Sequence, residues 1–271
     1  MKKNFFRFLI IIVAIFYAIT YAQDIFTQAE IQLSQKKYRE AIKDYQSVIR
    51  QSSNFEPAWF GLQTAFIQCG DLILAQKLEK ILLSDRLLWG YIRTLFYSND
   101  FDSTVKYILI FPQKFSKSSL LNDAIALGIL IFDSGNDTVS LKRYAQALFD
   151  YERGNYIAGI DTIKSLLVKS NGLTEHSYIL LSKLFIAKGE LNQAISTLNE
   201  FGQKFTTGKL YPKTRYDLGL IYLESIKDTL KAKDIFENLI NECPACPESY
   251  FARSRLTILS EGKIKESPAP K

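Results

Sequence analysis

The chain has 271 residues, with 34 basic and 28 acidic side chains for a formal net charge of +6 and a hydrophobic content of 47%. That is ample material for a core, while a single histidine and three cysteines leave few ligands for a metal centre. The charge excess is also smaller than it looks, because three of the cations sit at the extreme N-terminus.

Lys2, Lys3 and Arg7 precede the apolar run Phe8 to Ile19, and Thr20-Tyr21-Ala22 supplies the small residues that a signal peptidase reads. Residues 1–22 are therefore predicted to be a signal peptide, with a mature chain beginning at Gln23. The uninterrupted run falls well short of the roughly 20 residues that span a bilayer as a helix, so a cleaved leader is preferred to a retained anchor. No cysteine lies at the cleavage point to carry a lipid. The protein is expected to be exported, either periplasmic or associated with the cell envelope, or secreted. Without the leader, 31 cations face 28 acids and the net charge is +3. This gives no support to a nucleic-acid partner, which calls for a clustered basic stripe.

The rest of the chain lacks strand alternation and reads as helical throughout. Ala29, Tyr38, Ala41, Tyr45 and Val48 mark a first helical hairpin over Asp24 to Phe55, reversing at Gln35-Lys36-Lys37. Trp59, Leu62, Phe66, Gly70 and Ala75 mark a second, in which Pro57 is an early helical residue and Glu79 stands at a position usually aromatic. A third is looser: Trp89, Ile92 and Phe96 lead to a turn at Ser98-Asn99-Asp100, then Phe101, Thr104 and Ile108, with Pro112 expected to end it.

From Ser118 to Gly154 two phases compete. Leu127, Gly128, Ile131, Gly135, Tyr144 and Ala147 form one unit; Ala147, Gly154, Tyr156, Ile160 and Ile163 form another. They give the helix Val139 to Glu152 opposite roles. The second is preferred, which leaves Ser118 to Phe132 as an unpaired helix joining two sub-arrays.

The clearest unit runs from Glu175 to Gly208. Tyr178, Leu181, Ser182 and Phe185 recur at spacings of three and four and so share one helical face. Gly189 can enter the left-handed region that ends a helix, and Leu191, Ala194, Leu198 and Phe201 line a second helix. Ser182 and Ala194 allow close approach, with Phe185 and Leu198 filling the space beside them. In the last unit Leu218, Gly219, Tyr222, Ala232, Phe236 and Leu239 repeat the pattern, with one extra residue expected in the turn at Lys227 to Thr229. Pro247 to about Leu259 is a closing helix.

These residues carry a resemblance. An aromatic, a Leu-small pair, an aromatic, a turn glycine and an alanine, at a period of about 34 residues, look like the tetratricopeptide repeat. The resemblance implies an all-α solenoid of antiparallel hairpins, with about six repeats and a C-terminal cap. The predicted organisation is a signal peptide (1–22), an N-terminal sub-array (23–117), a joining helix (118–138), a C-terminal sub-array with cap (139–262) and a disordered tail (263–271). Loose similarity extends to repeats of envelope-assembly and Tol-Pal-associated proteins.

No catalytic residues, metal ligands or cofactor are predicted. His176 has no partner at a helical spacing and reads as a surface or groove histidine. Neither a nucleophile elbow nor a phosphate-binding loop occurs. Cys243-Pro244-Ala245-Cys246 is read as a small disulfide staple, with a redox-active pair as the alternative. Cys69 is expected buried and free.

Transferring the family's concave-face positions gives a candidate partner surface of Phe60, Trp89, Arg93, Tyr144, Tyr151, Lys183 and Tyr216. Such aromatic and cationic groups suit a protein or peptide segment. Phe26 and Glu30 stand where the family's carboxylate clamp has Lys and Asn, so that specialisation is not supported. A scaffold is the favoured function, with a thiol-disulfide protein or a cell-wall glycan-binding module as alternatives. The sequence leaves the oligomeric state open.

Overall fold

A computed structural model describes residues 22–78 and 84–260. The leader up to residue 21, Glu79 and the tail from 261 lie outside the described residues. Within them the chain is helical and contains no strand. It divides into two compact units, residues up to 129 and residues from 130.

In the first unit α1 (22–34) pairs with α2 (Tyr38–Gln51), α3 (Glu56–Cys69) with α4 (Leu72–Gln76), and α5 (Asp85–Tyr97) with α6 (Phe101–Lys114), followed by α7 (Leu121–Asp133), which runs across the division. Helix α6 continues through Pro112 to Lys114, two residues beyond the stop that the proline suggested. In the second unit α8 (Thr138–Glu152) pairs with α9 (Tyr156–Leu166), α10 (Thr174–Lys188) with α11 (Leu191–Lys204), and α12 (Tyr211–Leu220) with α13 (Thr229–Glu242). Helix α14 (Pro247–Ser260) packs on α12 and α13 as a cap.

Each first helix ends the same way. Lys36, Gly70, Asn99, Gly154 and Gly189 have positive φ, and each amide donates to the carbonyl three residues before it. The following amides, of Lys37, Asp71, Asp100, Asn155 and Glu190, each reach the carbonyl five residues back. This pairs carbonyls that a helix end otherwise leaves without donors. Asp71, Asp100 and Asp228 then cap the second helix through their carboxylates.

Five residues after each of these five, and after Lys227, comes a small buried residue: Ala41, Ala75, Thr104, Gly159, Ala194 and Ala232. These set the close approach of the two helices. At Gly159 a Cβ would stand 3.3 Å from the backbone oxygen of Ala147 and 2.8 Å from Leu184, so only glycine fits without a shift.

The last hairpin differs, and corrects the sequence reading. Its turn has the same form as the others, with Lys227 left-handed and Asp228 capping, but Asp228 N donates to Tyr222 O, six residues back. The extra residue is absorbed one turn earlier, where Ile221–Ile226 forms a π-helical turn after α12. The insertion thus widens the helix and leaves the reversal unchanged.

Both turn signals that competed around α8 are formed. Gly135 and Gly154 are each left-handed. Helix α8 packs with α9, as the second phase required. Helix α7 shares the first amide relation of the other first helices, with the Gly135 amide on Phe132 O, but its turn is one residue longer: Asp137 N donates to Ser134 O and the Asp137 carboxylate caps α8.

The left-handed turns set a stability prediction. Gly189→Ala is expected to cost about 1–2 kcal/mol, the usual penalty for an L-residue in that region, while Lys227→Gly raises stability by up to about 1 kcal/mol. Urea denaturation of the two variants against the parent checks both signs.

Candidate partner-binding surface

With the phase fixed by the turns, equivalent positions can be read along each unit. Ten residues before each left-handed residue stand Phe26, Phe60, Trp89 and Ile125 in the first unit, and Tyr144 and Ile179 in the second. Six residues before stand Glu30, Thr64, Arg93 and Ile129, then Leu148 and Lys183. Positions four apart share one helical face, so these form two adjacent rows across successive first helices.

The rows behave differently in the two units. In the first, Phe26, Phe60 and Trp89 are half-buried, and Ile125 and Ile129 are 46% and 48% exposed. The Arg86 guanidinium lies over the Phe60 ring at 4.0 Å, joining the faces of α3 and α5, and that of Arg93 lies 5.9 Å from the Trp89 ring centre. In the second unit Tyr144 is 6% and Ile179 7% exposed. The Tyr144 hydroxyl lies 3.5 Å from His176 O, and burial pushes its phenol pKa far up. Tyr144 therefore packs between helices and has almost no surface to offer a ligand. Tyr151 is half-buried against Tyr156, with burial raising its phenol, and Lys183 is exposed. Tyr216 packs on Phe236 and Phe251 and accepts a hydrogen bond from Arg255.

Arg86, Ile125 and Ile129 are the residues that sequence reasoning missed. Gly135 was the available signal, since counting back ten and six from it reaches both isoleucines. Treating α7 as a linker hid that count.

The acids that open three of the first helices accept hydrogen bonds from the segments that follow. Glu56 accepts from the Ser84 hydroxyl at 2.7 Å and Asp85 from the Ser118 hydroxyl at 2.5 Å. Glu175, at the same position in the second unit, accepts from Leu210 N at 2.9 Å. Each clasp ties the start of one first helix to the segment that opens the next. Glu30 in turn accepts from the Tyr45 hydroxyl.

A polar cluster in the second unit surrounds His176, which lines a cleft. Its ring is 12% exposed, and Nε2 lies 3.0 Å from Asp133 Oδ2, whose other oxygen accepts from Lys209 Nζ at 2.9 Å. The three side chains and Glu175 line a cleft of about 320 Å³ with Asn171, Thr174 and Phe205. Burial alone would raise the Asp133 carboxyl, but hydrogen bonds from His176 and Lys209 outweigh it and hold the group below its ordinary range. The donors His176 and Lys209 are paired with it, so the cluster fastens the end of α7 to the start of α10 and to the segment that leads into α12.

Cys243 and Cys246 form a disulfide between α13 and α14, with Cα atoms 5.5 Å apart. The buried Ser249 hydroxyl donates to Cys243 O at 2.5 Å, and Arg253 to Pro244 O at 3.1 Å, which fixes the bridged segment from the cap helix. Cys69 carries a free thiol and is only partly buried, donating to Phe66 O.

The family model for the tetratricopeptide repeat matches residues 213–245, the hairpin that contains the π-helical turn. The chain thus carries a tetratricopeptide repeat at that hairpin, within an all-α array of paired helices. No curated protein matches it. Tetratricopeptide repeats are characteristically interaction scaffolds, and the hairpins described above supply such a frame.

The Asp133 cluster is expected to make the second unit sensitive to acid. A carboxyl whose folded pKa is depressed stabilises fully above its unfolded value, near ~4, and that contribution is lost as pH falls through the folded value. Asp133→Asn is expected to lower stability at pH 7 by about 1.5–3 kcal/mol, with the gap to the parent closing as pH falls through the depressed value of the folded carboxyl. Thermal unfolding followed across pH 2 to pH 7, an estimated window set by those carboxyl values, checks the trend.

Proposed function

We propose that this chain is a non-catalytic scaffold of the cell envelope that binds a segment of a partner protein. The surface is the first-helix face of the unit up to residue 129. One observation carries the reading: the row Phe26, Phe60, Trp89 and Ile125 is apolar on every first helix of that unit and open to solvent at its end. A row of anchors at repeat spacing suits a chain laid across the helices, each side chain contributing apolar contact.

Export is supported by the leader sequence, which lies outside the described residues, and by the Cys243–Cys246 bridge, a feature at home in an oxidising compartment. The loose resemblance of the last repeats to those of Tol-Pal-associated proteins favours envelope or outer-membrane complexes as partners. The bridge is read as a staple because its segment is held by Ser249 and Arg253. A reactive pair of the thiol-disulfide class calls for a strained or accessible bond instead.

Two measurements address the proposal. A photo-crosslinker at Phe60 or Trp89 in intact cells is expected to capture a defined protein, whereas one at Ile179 captures none; no capture from either open position would remove the proposed surface. Replacing both Cys243 and Cys246 by Ser is expected to cost about 2 kcal/mol, the loop-closure entropy of so short a bridge, with no change in crosslinking. A thiol-disulfide protein would instead lose its function with the pair. Intact mass of the exported protein locates its first residue, expected at Gln23.

A further inference from the structure

We propose that Gln63, buried between α3 and α5, is the positioning residue of the partner surface, an assignment that rests on that surface being the one used. It keys α5 onto α3 and so holds Arg86 and Trp89 in register with Phe60.

Gln63 lies on α3 and is 1% exposed. It stands seven residues before the left-handed Gly70, a place taken in other hairpins by Ala29, Ile92, Gly128, Ala147 and Ser182. A long amide replaces a small or apolar side chain. Its nitrogen donates to Leu87 O at 3.2 Å, in the first turn of α5. Its oxygen is enclosed and has no hydrogen-bond partner. That oxygen presses on Gly90, about one turn further along α5, where a Cβ would stand 2.0 Å from it. The side chain is long on α3 and missing on α5, so one knob fits one hole.

An apolar side chain of similar length would fill the space without leaving an enclosed acceptor unsatisfied, which is destabilising. Packing alone therefore does not account for a glutamine. What the amide adds is direction, since apolar contact is non-directional. A bond to one carbonyl and contact with one glycine fix both the rotation of α5 and its position along α3, the use for which buried polar groups are best attested. The demand is local, because α4, against which α5 also packs, has five residues where α2, α6 and α11 have 14.

The consequence falls on the surface. Leu87 follows Arg86 in sequence and Gly90 follows Trp89, so the two contacts of Gln63 adjoin the two α5 residues that serve the partner face. With α5 held in this way the Arg86 guanidinium lies 4.0 Å from the Phe60 ring centre. A slip of one residue turns a helix by roughly 100°. Trp89 would then leave the row.

The test uses the full mature chain and Gln63→Leu, which keeps the bulk and removes the direction. Its urea midpoint is expected to equal or exceed that of the parent, while hydroxyl-radical labelling of Trp89 changes at least twofold and capture by a crosslinker at Phe60 falls at least fivefold. A role confined to stability would move the midpoint and leave labelling and capture as in the parent. If Gln63→Leu does not fold, Gln63→Met, apolar and unbranched, is read in its place, and failure of both to fold would overturn the positioning role. So would parent-like labelling of Trp89, or undiminished capture, in a folded variant. If the parent itself captures nothing from Phe60 or Trp89, the proposed surface fails, and the labelling of Trp89 still decides whether Gln63 sets the joint.

Discussion

One backbone conformation governs this chain: the left-handed residue that ends each first helix. It sets where the chain reverses, and it fixes the rotation of both helices around it. Because the amide relations on its helix side are the same at Lys36, Gly70, Asn99, Gly154 and Gly189, the side chains ten, six and three residues earlier keep the same orientation from hairpin to hairpin. The small buried residue five positions later follows from the same constraint, since it must sit where the two helices cross. The conformation is costly for an L-residue other than glycine or asparagine, and Lys36 and Lys227 bear that cost where the turn has no alternative. Even the insertion in the last hairpin respects it: the helix widens into a π turn, and the reversal at Lys227 keeps its form.

A second regularity links hairpin to hairpin. An acid opens α3, α5 and α10, and each accepts a hydrogen bond from the segment that starts the following first helix. These clasps hold the repeats in sequence. In the second unit the first of the corresponding rows is filled by packing, with Tyr144 and Ile179 buried, while Lys183 of the other row is exposed, and polar side chains gather at the loop ends around Asp133.

Much of the fold was legible from residues alone. Gly70, Gly154 and Gly189 announce turns because little else adopts that backbone readily, and Ala41, Ala75 and Ala194 announce close contacts by their size. What escaped was of three kinds. The left-handed lysine at 227 has no compositional signature, so the extra residue was assigned to the turn when the π-helical turn absorbs it. His176 and Asp133 are 43 residues apart in sequence, and no helical spacing predicts their meeting. The openness of the rows depends on how side chains pack around them, which a position count cannot supply; Tyr144 and Trp89 occupy equivalent positions, yet only Trp89 retains exposed surface. Ile125 and Ile129 lay within reach of the same count once Gly135 was recognised as a turn of the same kind.

The central claim is that equivalent first-helix positions are open in one unit and closed in the other. Hydroxyl-radical footprinting of the free, full-length mature protein tests it residue by residue. The account predicts rapid labelling of Phe60, Trp89, Ile125 and Ile129, with Tyr144 and Ile179 strongly protected. Equal labelling of the two sets, or protection of Trp89 with labelling of Tyr144, would contradict it.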